Sequence, residues 1–201
     1  MPLRTALTLA AACLAATACR PVEQDISPPA DMTPSVGADE QDEDHSASAT
    51  LRDRDGNVAA EANLYRDHDG NVMIALKVLD LPPGMHGFHI HETGDCSAPD
   101  FSSAGGHFNP GGLAEHGVDE NGMEAVDGPH RGDLPNIKVD ADGTTAYKIK
   151  AEGVNLDDEG IYSLLDGSGT ALVIHADADD YVTDPAGNSG PRIACGVIKE
   201  S

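Results

Sequence analysis

Gly87-Phe88-His89-Ile90-His91-Glu92 alternates large apolar side chains with imidazoles at a period of two. Alternate residues of a β-strand share a face, so Phe88 and Ile90 point into a core while His89 and His91 converge on the other side. Sixteen positions after His91, the stretch Gly105-Gly106-His107-Phe108-Asn109-Pro110 brings a third imidazole from a loop. Two imidazoles on a rigid strand and one beside them are most of a nitrogen-rich transition-metal site.

Outward from this stretch the chain reads as short strands and tight turns. Asp55-Gly56-Asn57, Asp69-Gly70-Asn71 and Asp142-Gly143 are hairpin signals, because Asp, Asn and Gly tolerate the positive φ those turns require. They join the runs Val58 to Tyr65, Val72 to Leu79, Ile137 to Asp140 and Thr144 to Ile149; later runs are Ala171 to His175 and Ala194 to Ile198. No stretch carries a helical period. The expectation is an all-β domain, an antiparallel β-sandwich or flattened barrel of about eight strands with Greek-key connections. Two long stretches, Thr93 to Pro135 and Asp177 to Arg192, interrupt the strands, and loops of that length in a compact domain carry function or lack order. The first holds three histidines and the second follows directly on one, which favours function.

The ends of the chain have a different composition. Residues 1–19 combine a basic start at Arg4, an apolar run from Ala6 to Ala16 and small residues before Cys19, the layout of an export signal. The run is short for a bilayer span. Ala16-Thr17-Ala18-Cys19 resembles the lipobox of bacterial lipoproteins, with Ala16 where Leu is usual, so Cys19 is the candidate for lipidation; ordinary cleavage is the alternative, and both export the chain. Residues 20–48 are Pro-rich and acidic and cannot bury enough surface to fold, which makes them a disordered tether. Residues 49–201 remain as one domain. The formal charge is −23, made up of +1 from Arg4 in the signal region, −7 from the tether and −17 from the domain. So acidic a surface excludes nucleic acid as a partner and leaves the membrane only through a lipid at Cys19. With Cys13 and Cys19 in the signal region, Cys96 and Cys195 are left to pair in an oxidising compartment, the periplasm or cell envelope.

His175 ends the apolar run Ala171-Leu172-Val173-Ile174 and joins His89, His91 and His107 as four imidazoles, a set suited to copper. His107, His116, His130 and Asp133 make three nitrogens and a carboxylate, a closed set of the kind zinc takes. His107 stands in both, so one ring nitrogen must face each ion. His45 and His68 read as solvated, and His86, with the parity of Phe88 and Ile90, as a structural histidine bonded to backbone.

These motifs, with Gly94-Asp95-Cys96, Ser103-Ala104-Gly105-Gly106-His107, His130-Arg131-Gly132-Asp133-Leu134-Pro135, Val173-Ile174-His175-Ala176 and Gly190-Pro191-Arg192-Ile193-Ala194-Cys195-Gly196-Val197, resemble those of the bacterial copper,zinc superoxide dismutases over essentially all of residues 49–199. The sandwich architecture is a known property of that family. The resemblance implies copper on His89, His91, His107 and His175, zinc on His107, His116, His130 and Asp133, and His107 as bridge. It makes Arg192 the residue that docks superoxide, His107 a proton donor, Asp179 the carboxylate linking a copper histidine to a zinc histidine, and Cys96–Cys195 the bond pinning the loop after His91 near Arg192. The implied reaction is copper-dependent disproportionation of superoxide to dioxygen and hydrogen peroxide. A non-catalytic copper- and zinc-binding surface lipoprotein is the alternative from another class. A zinc hydrolase fits less well, because the three-histidine, one-Asp set leaves no open position.

Overall fold

The computed structural model describes residues 46–112, 115–117 and 129–201. The export signal, Cys19 with its lipidation motif, His45 and the tether up to residue 45 lie outside the described residues. Among the described residues ten strands follow one another: β1 (Ser46–Asp53), β2 (Val58–Arg66), β3 (Val72–Val78), β4 (Gly84–His86), β5 (Phe88–His91), β6 (Ile137–Val139), β7 (Thr145–Ala151), β8 (Ala171–His175), β9 (Arg192–Val197) and β10 (Lys199–Glu200). β1 starts at Ser46, inside the stretch expected as tether, so Ser46, Ala47 and Ser48 belong to the folded sheet. Ser46, Ala47 and Ser48 pair with Tyr65, Leu64 and Asn63 of β2, and Ala47 is fully buried. Its methyl group is too small to register as core by hydropathy, yet it fits a sheet that packs closely.

Eight strands form one antiparallel sheet in the order β5-β8-β9-β1-β2-β3-β7, with β10 on β1, while β4 and β6 pair separately. The first two hairpins are as their turn residues require. Asp53 Oδ1 accepts the N–H groups of Asp55 and Asn57, Asp67 Oδ1 does the same for Asp69 and Asn71, and Gly56 and Gly70 take φ of 87° and 81°. The third turn signal joins strands that go to different partners: β6 pairs with β4 and β7 with β3. The chain reaches β5, where the site is built, from β3 through β4, and this later turn returns it from the β4-β6 pair to the β3 edge of the main sheet. A third irregular stretch, residues 152–170, which sequence reasoning passed over, is tied by a bridge between Asn155 and Ser163 and buries Leu156 and Leu164.

The core is aliphatic, with Phe88 its largest fully buried side chain. Leu51, Leu64, Ile74 and Leu76 from β1 to β3 meet Phe88 and Ile90 of β5 and Leu172 and Ile174 of β8. Each such side chain contributes about 1.5–3 kcal/mol of burial free energy. On the opposite face of β8 and β9, Ala171, Val173 and Cys195 pack under Phe101 and Ala104 of the long loop. β5 and β8 are thus covered on both faces, and every residue in them is buried.

Candidate metal centre

β5 is the platform. One edge pairs with β8, matching His89 to Val173 and His91 to Ala171. The other edge is taken by the long loop: Phe108 N–H donates to the Ile90 carbonyl (2.8 Å), Ile90 N–H to that of Gly132 (2.9 Å) and Glu92 N–H to that of Gly106 (3.0 Å). Bridges pair His91 with His107 and His89 with Asp133. The loop is thereby held as a partial strand that sets His107 and Asp133 beside the β5 imidazoles. Gly132 is required there, because a Cβ would stand 2.2 Å from the Ile90 carbonyl oxygen. His175 is aimed by a register shift between Ile174 and His175, where it pairs with Arg192.

The ring nitrogens can be accounted for one by one. His91 Nδ1 donates to the Gly105 carbonyl (2.9 Å) and His175 Nδ1 to that of Gly190 (3.1 Å), so each Nε2 keeps its lone pair. Those two Nε2 atoms face each other at 3.4 Å, an arrangement that calls for a cation between them. His89 Nε2 donates to Asp179 Oδ2 (2.7 Å), which frees Nδ1. His107 Nδ1 lies 2.7 Å from Asp133 Oδ1, which leaves Nε2. The buried His89 Nδ1, His107 Nε2, His116 Nδ1 and His130 Nδ1 have no hydrogen-bond partner. A buried polar atom left so costs about 1–3 kcal/mol, and metal ligation removes that cost.

The ligand atoms of His89, His91, His107 and His175 lie within 4.8 Å of one another, as do those of His107, His116, His130 and Asp133. In the second set His116 Nδ1 and His130 Nδ1 stand 3.1 and 3.4 Å from Asp133 Oδ1 without hydrogen-bond alignment. The four-imidazole set suits copper and the three-nitrogen, one-carboxylate set suits zinc.

Asp179 joins the two sets from behind. It is fully buried; Oδ2 accepts from His89, and Oδ1 accepts from His116 Nε2 (2.9 Å) and Tyr181 N–H (2.6 Å). His86 is no ligand: its nitrogens lie 2.8 Å from the His175 and Pro82 carbonyls, as its parity implied. Cys96 and Cys195 are bonded, with Cα atoms 5.8 Å apart. Arg192 is half-buried and donates to the Phe101 and Gly105 carbonyls (2.5 Å each), so Gly105 holds both His91 and Arg192. Sequence reasoning did not single out Asn136, whose amide grips Asp179, or Gly187, where a Cβ would meet Asp179 Oδ1 at 1.8 Å. Neither has a sequence signal, since both act through tertiary contacts.

Burial, with the neighbouring His107, pushes His91 down to about 2; burial pushes His175 down to about 3 and His107 to about 4, the last against its bond to Asp133. These rings are neutral at physiological pH, as ligands must be. Against burial, the adjacent Asp133 carboxylate and the bond to Asp179 raise His116 to about 10, and both carboxylates are held below their usual range. For the metal-free protein the signs differ. His91, His107 and His175 bind fewer protons folded than unfolded, so stability falls as pH drops below about 6.5. The two carboxylates add to that loss below about 4. The His116 contribution is complete below about 6.5 and disappears as pH rises through about 10. Thermal melts of metal-free protein against pH are expected to peak near neutrality; a melting temperature still climbing on acidification from pH 6 to 4 would contradict this account of the site.

A β-sheet domain that places four imidazoles beside a three-histidine, one-carboxylate set, with one ring common to both, defines a paired copper and zinc protein. Residues 55–198 match the copper/zinc superoxide dismutase (SODC) family. "Superoxide dismutase [Cu-Zn] 2" of Aquifex aeolicus is 44% identical over 158 residues, 78% of this chain and 88% of that protein. "Superoxide dismutase [Cu-Zn]" of Caulobacter vibrioides is 40% identical over 155 residues, 77% and 86% of the two chains. Among solved structures, a SOD-like protein from Bacillus subtilis aligns with a TM-score of 0.67 at 41% identity, over 75% of this chain and 96% of that one. The chain belongs to the copper/zinc superoxide dismutase family. It keeps both metal sites whole, copper at His89, His91, His107 and His175 and zinc at His107, His116, His130 and Asp133, with His107 as bridge.

Proposed function

We propose that the protein disproportionates superoxide with Arg192 as the docking cation, His107 as the proton carrier and Asp179 as the link between the two metal sites. The observation that carries this reading is the nitrogen account: in His89, His91 and His175 one nitrogen is committed to the protein and the other is left for metal, while His107 turns Nε2 to the copper set and Nδ1 to Asp133 of the zinc set. Copper, when bound, supplies the one-electron couple that oxidises one superoxide and reduces the next, and zinc supplies charge and structure without redox chemistry. The balance is two superoxide anions and two protons giving one dioxygen and one hydrogen peroxide.

Arg192 supplies fixed positive charge beside His91, its guanidinium oriented by two carbonyls before substrate arrives. His107 can hold a proton at Nε2 while Nδ1 stays against Asp133, so the ring does not swing away. The acidic domain surface repels an anion at long range, but screening over about 8 Å at physiological salt leaves the field near Arg192 in control. Arg192→Ala is expected to lower the dismutation rate on the order of 10- to 100-fold with both metals retained, and Arg192→Lys to recover part of it. An unchanged rate in Arg192→Ala would remove Arg192 from the reaction.

Asp179→Asn is expected to weaken zinc binding about 10–100-fold, measured by competition with a chelator, because His116 loses an anionic partner. The Cys96–Cys195 bond fits an oxidising compartment outside the cytoplasm. Within it, our reading is a periplasmic or envelope protein anchored by lipid at Cys19, which radiolabelled fatty acid incorporated into the wild type but not into Cys19→Ser would support.

A further inference from the structure

Asp179 sits in a stretch without regular structure, residues 176–191, four positions past the end of β8. Its carboxylate nevertheless meets two histidines, His89 on β5 and His116 in the long loop, at 2.7 and 2.9 Å. Something outside the stretch must fix its backbone, and the contacts converge on Asn136. The Asn136 side-chain N–H donates to the Asp179 carbonyl (2.8 Å), and its side-chain oxygen accepts the Asp179 N–H (2.8 Å). Two opposed bonds to the same residue fix rotation as well as position, and they leave no ambiguity about which way the amide points. Asn136 N–H also donates to the Tyr181 hydroxyl (2.7 Å), and Tyr181 N–H returns to Asp179 Oδ1. Tyr181 is held at φ 59°, a left-handed conformation that a bulky residue adopts only when its surroundings enforce it. On the far side Gly187 leaves no room for the carboxylate to retreat.

Asn136 itself is set by the segment that carries zinc ligands. It lies three residues after Asp133 and directly after Pro135, immediately before β6. We propose that Asn136 is a positioning residue: it transmits the placement of the His130–Asp133 segment to Asp179, and through Asp179 aligns His116 and His89 together. This rests on the reading of Asp179 as the link between the two sites. Asn136 touches no ligand and takes no part in proton or electron transfer. Its effect is on where two imidazoles point.

The test is Asn136→Asp, nearly isosteric, which replaces the N–H donor with an oxygen facing the Asp179 carbonyl. In the copper- and zinc-loaded protein we expect zinc release to a chelator to reveal an affinity loss of about tenfold, with a shift in the copper(II) visible band as His89 reorients. Adding Asn136→Asp to Asp179→Asn is expected to cost little beyond Asp179→Asn alone, since both act through one carboxylate. Unchanged zinc affinity and an unchanged copper band in Asn136→Asp, with a loss only in the melting temperature of the metal-free protein, would reduce Asn136 to a structural residue and overturn the proposal. If Asp179→Asn is also silent, the Asp179 reading falls with it; if Asp179→Asn alone weakens zinc, only the role of Asn136 falls. Should Asn136→Asp fail to fold, Tyr181→Phe removes the hydroxyl that receives Asn136 N–H. A two- to threefold loss of zinc affinity in that variant supports the proposal and no loss overturns it.

Discussion

Replacing His107 with alanine is expected to lower the dismutation rate by at least about 10³-fold, more than any other single change, and to weaken both metals at once. The expectation follows from position. His107 is delivered to the edge of β5 by a bridge to His91, with Nδ1 against Asp133 on one side and Nε2 in the copper set on the other. Every other ligand serves one set. Removing this ring opens both and also removes the proposed proton carrier. Residues that act as a unit are not additive, so His91→Ala made in the His107→Ala background is expected to cost little more. Metal content and superoxide decay measured on the same samples decide it. A variant that keeps its copper and stays within tenfold of wild type would show that the two sets are not bridged.

Opening the disulfide is the second large effect. Cys96 and Cys195 are 99 positions apart, and in the chain-entropy model a bond closing a loop of that length stabilises by about 4–5 kcal/mol. Cys96→Ala/Cys195→Ala is expected to lose that much in a denaturant titration, a large share of the stability of a domain this size. The consequence extends to the site. Arg192, three positions before Cys195, is oriented by the carbonyls of Phe101 and Gly105, and Cys96 is what ties that loop to β9. The loop keeps its bonds through His91 and Glu92, so the metals should remain while the rate falls. An unfolding midpoint equal to that of the wild type would contradict the stabilising role.

What was legible in the sequence was what local chemistry dictates. Asp-Gly-Asn turns announced the first two hairpins because the backbone there needs positive φ and a side-chain acceptor. The alternation of Phe88, His89, Ile90 and His91 announced a strand and its ligands, and the His107, His116, His130 and Asp133 positions were readable from their order along one loop. What was not legible depends on distant partners. Ala47 is too small to signal burial, so the start of β1 was placed three residues late. The Asp142-Gly143 turn looked like the others, yet β6 and β7 find different neighbours because the sheet, and not the turn, decides pairing. The carbonyls of Gly105 and Gly190 set two imidazole tautomers, and a backbone oxygen has no sequence signature. Asn136 and Gly187 act on Asp179 across 43 and 8 positions of chain, visible only once the loops are closed.

The most direct test loads the protein with copper and zinc, counts both metals per chain, and follows superoxide decay on the same sample. The account predicts one copper and one zinc per chain and decay at the near-diffusional rate known for this family. One copper and one zinc per chain with no catalysed decay would contradict it and make the protein a carrier of the two metals.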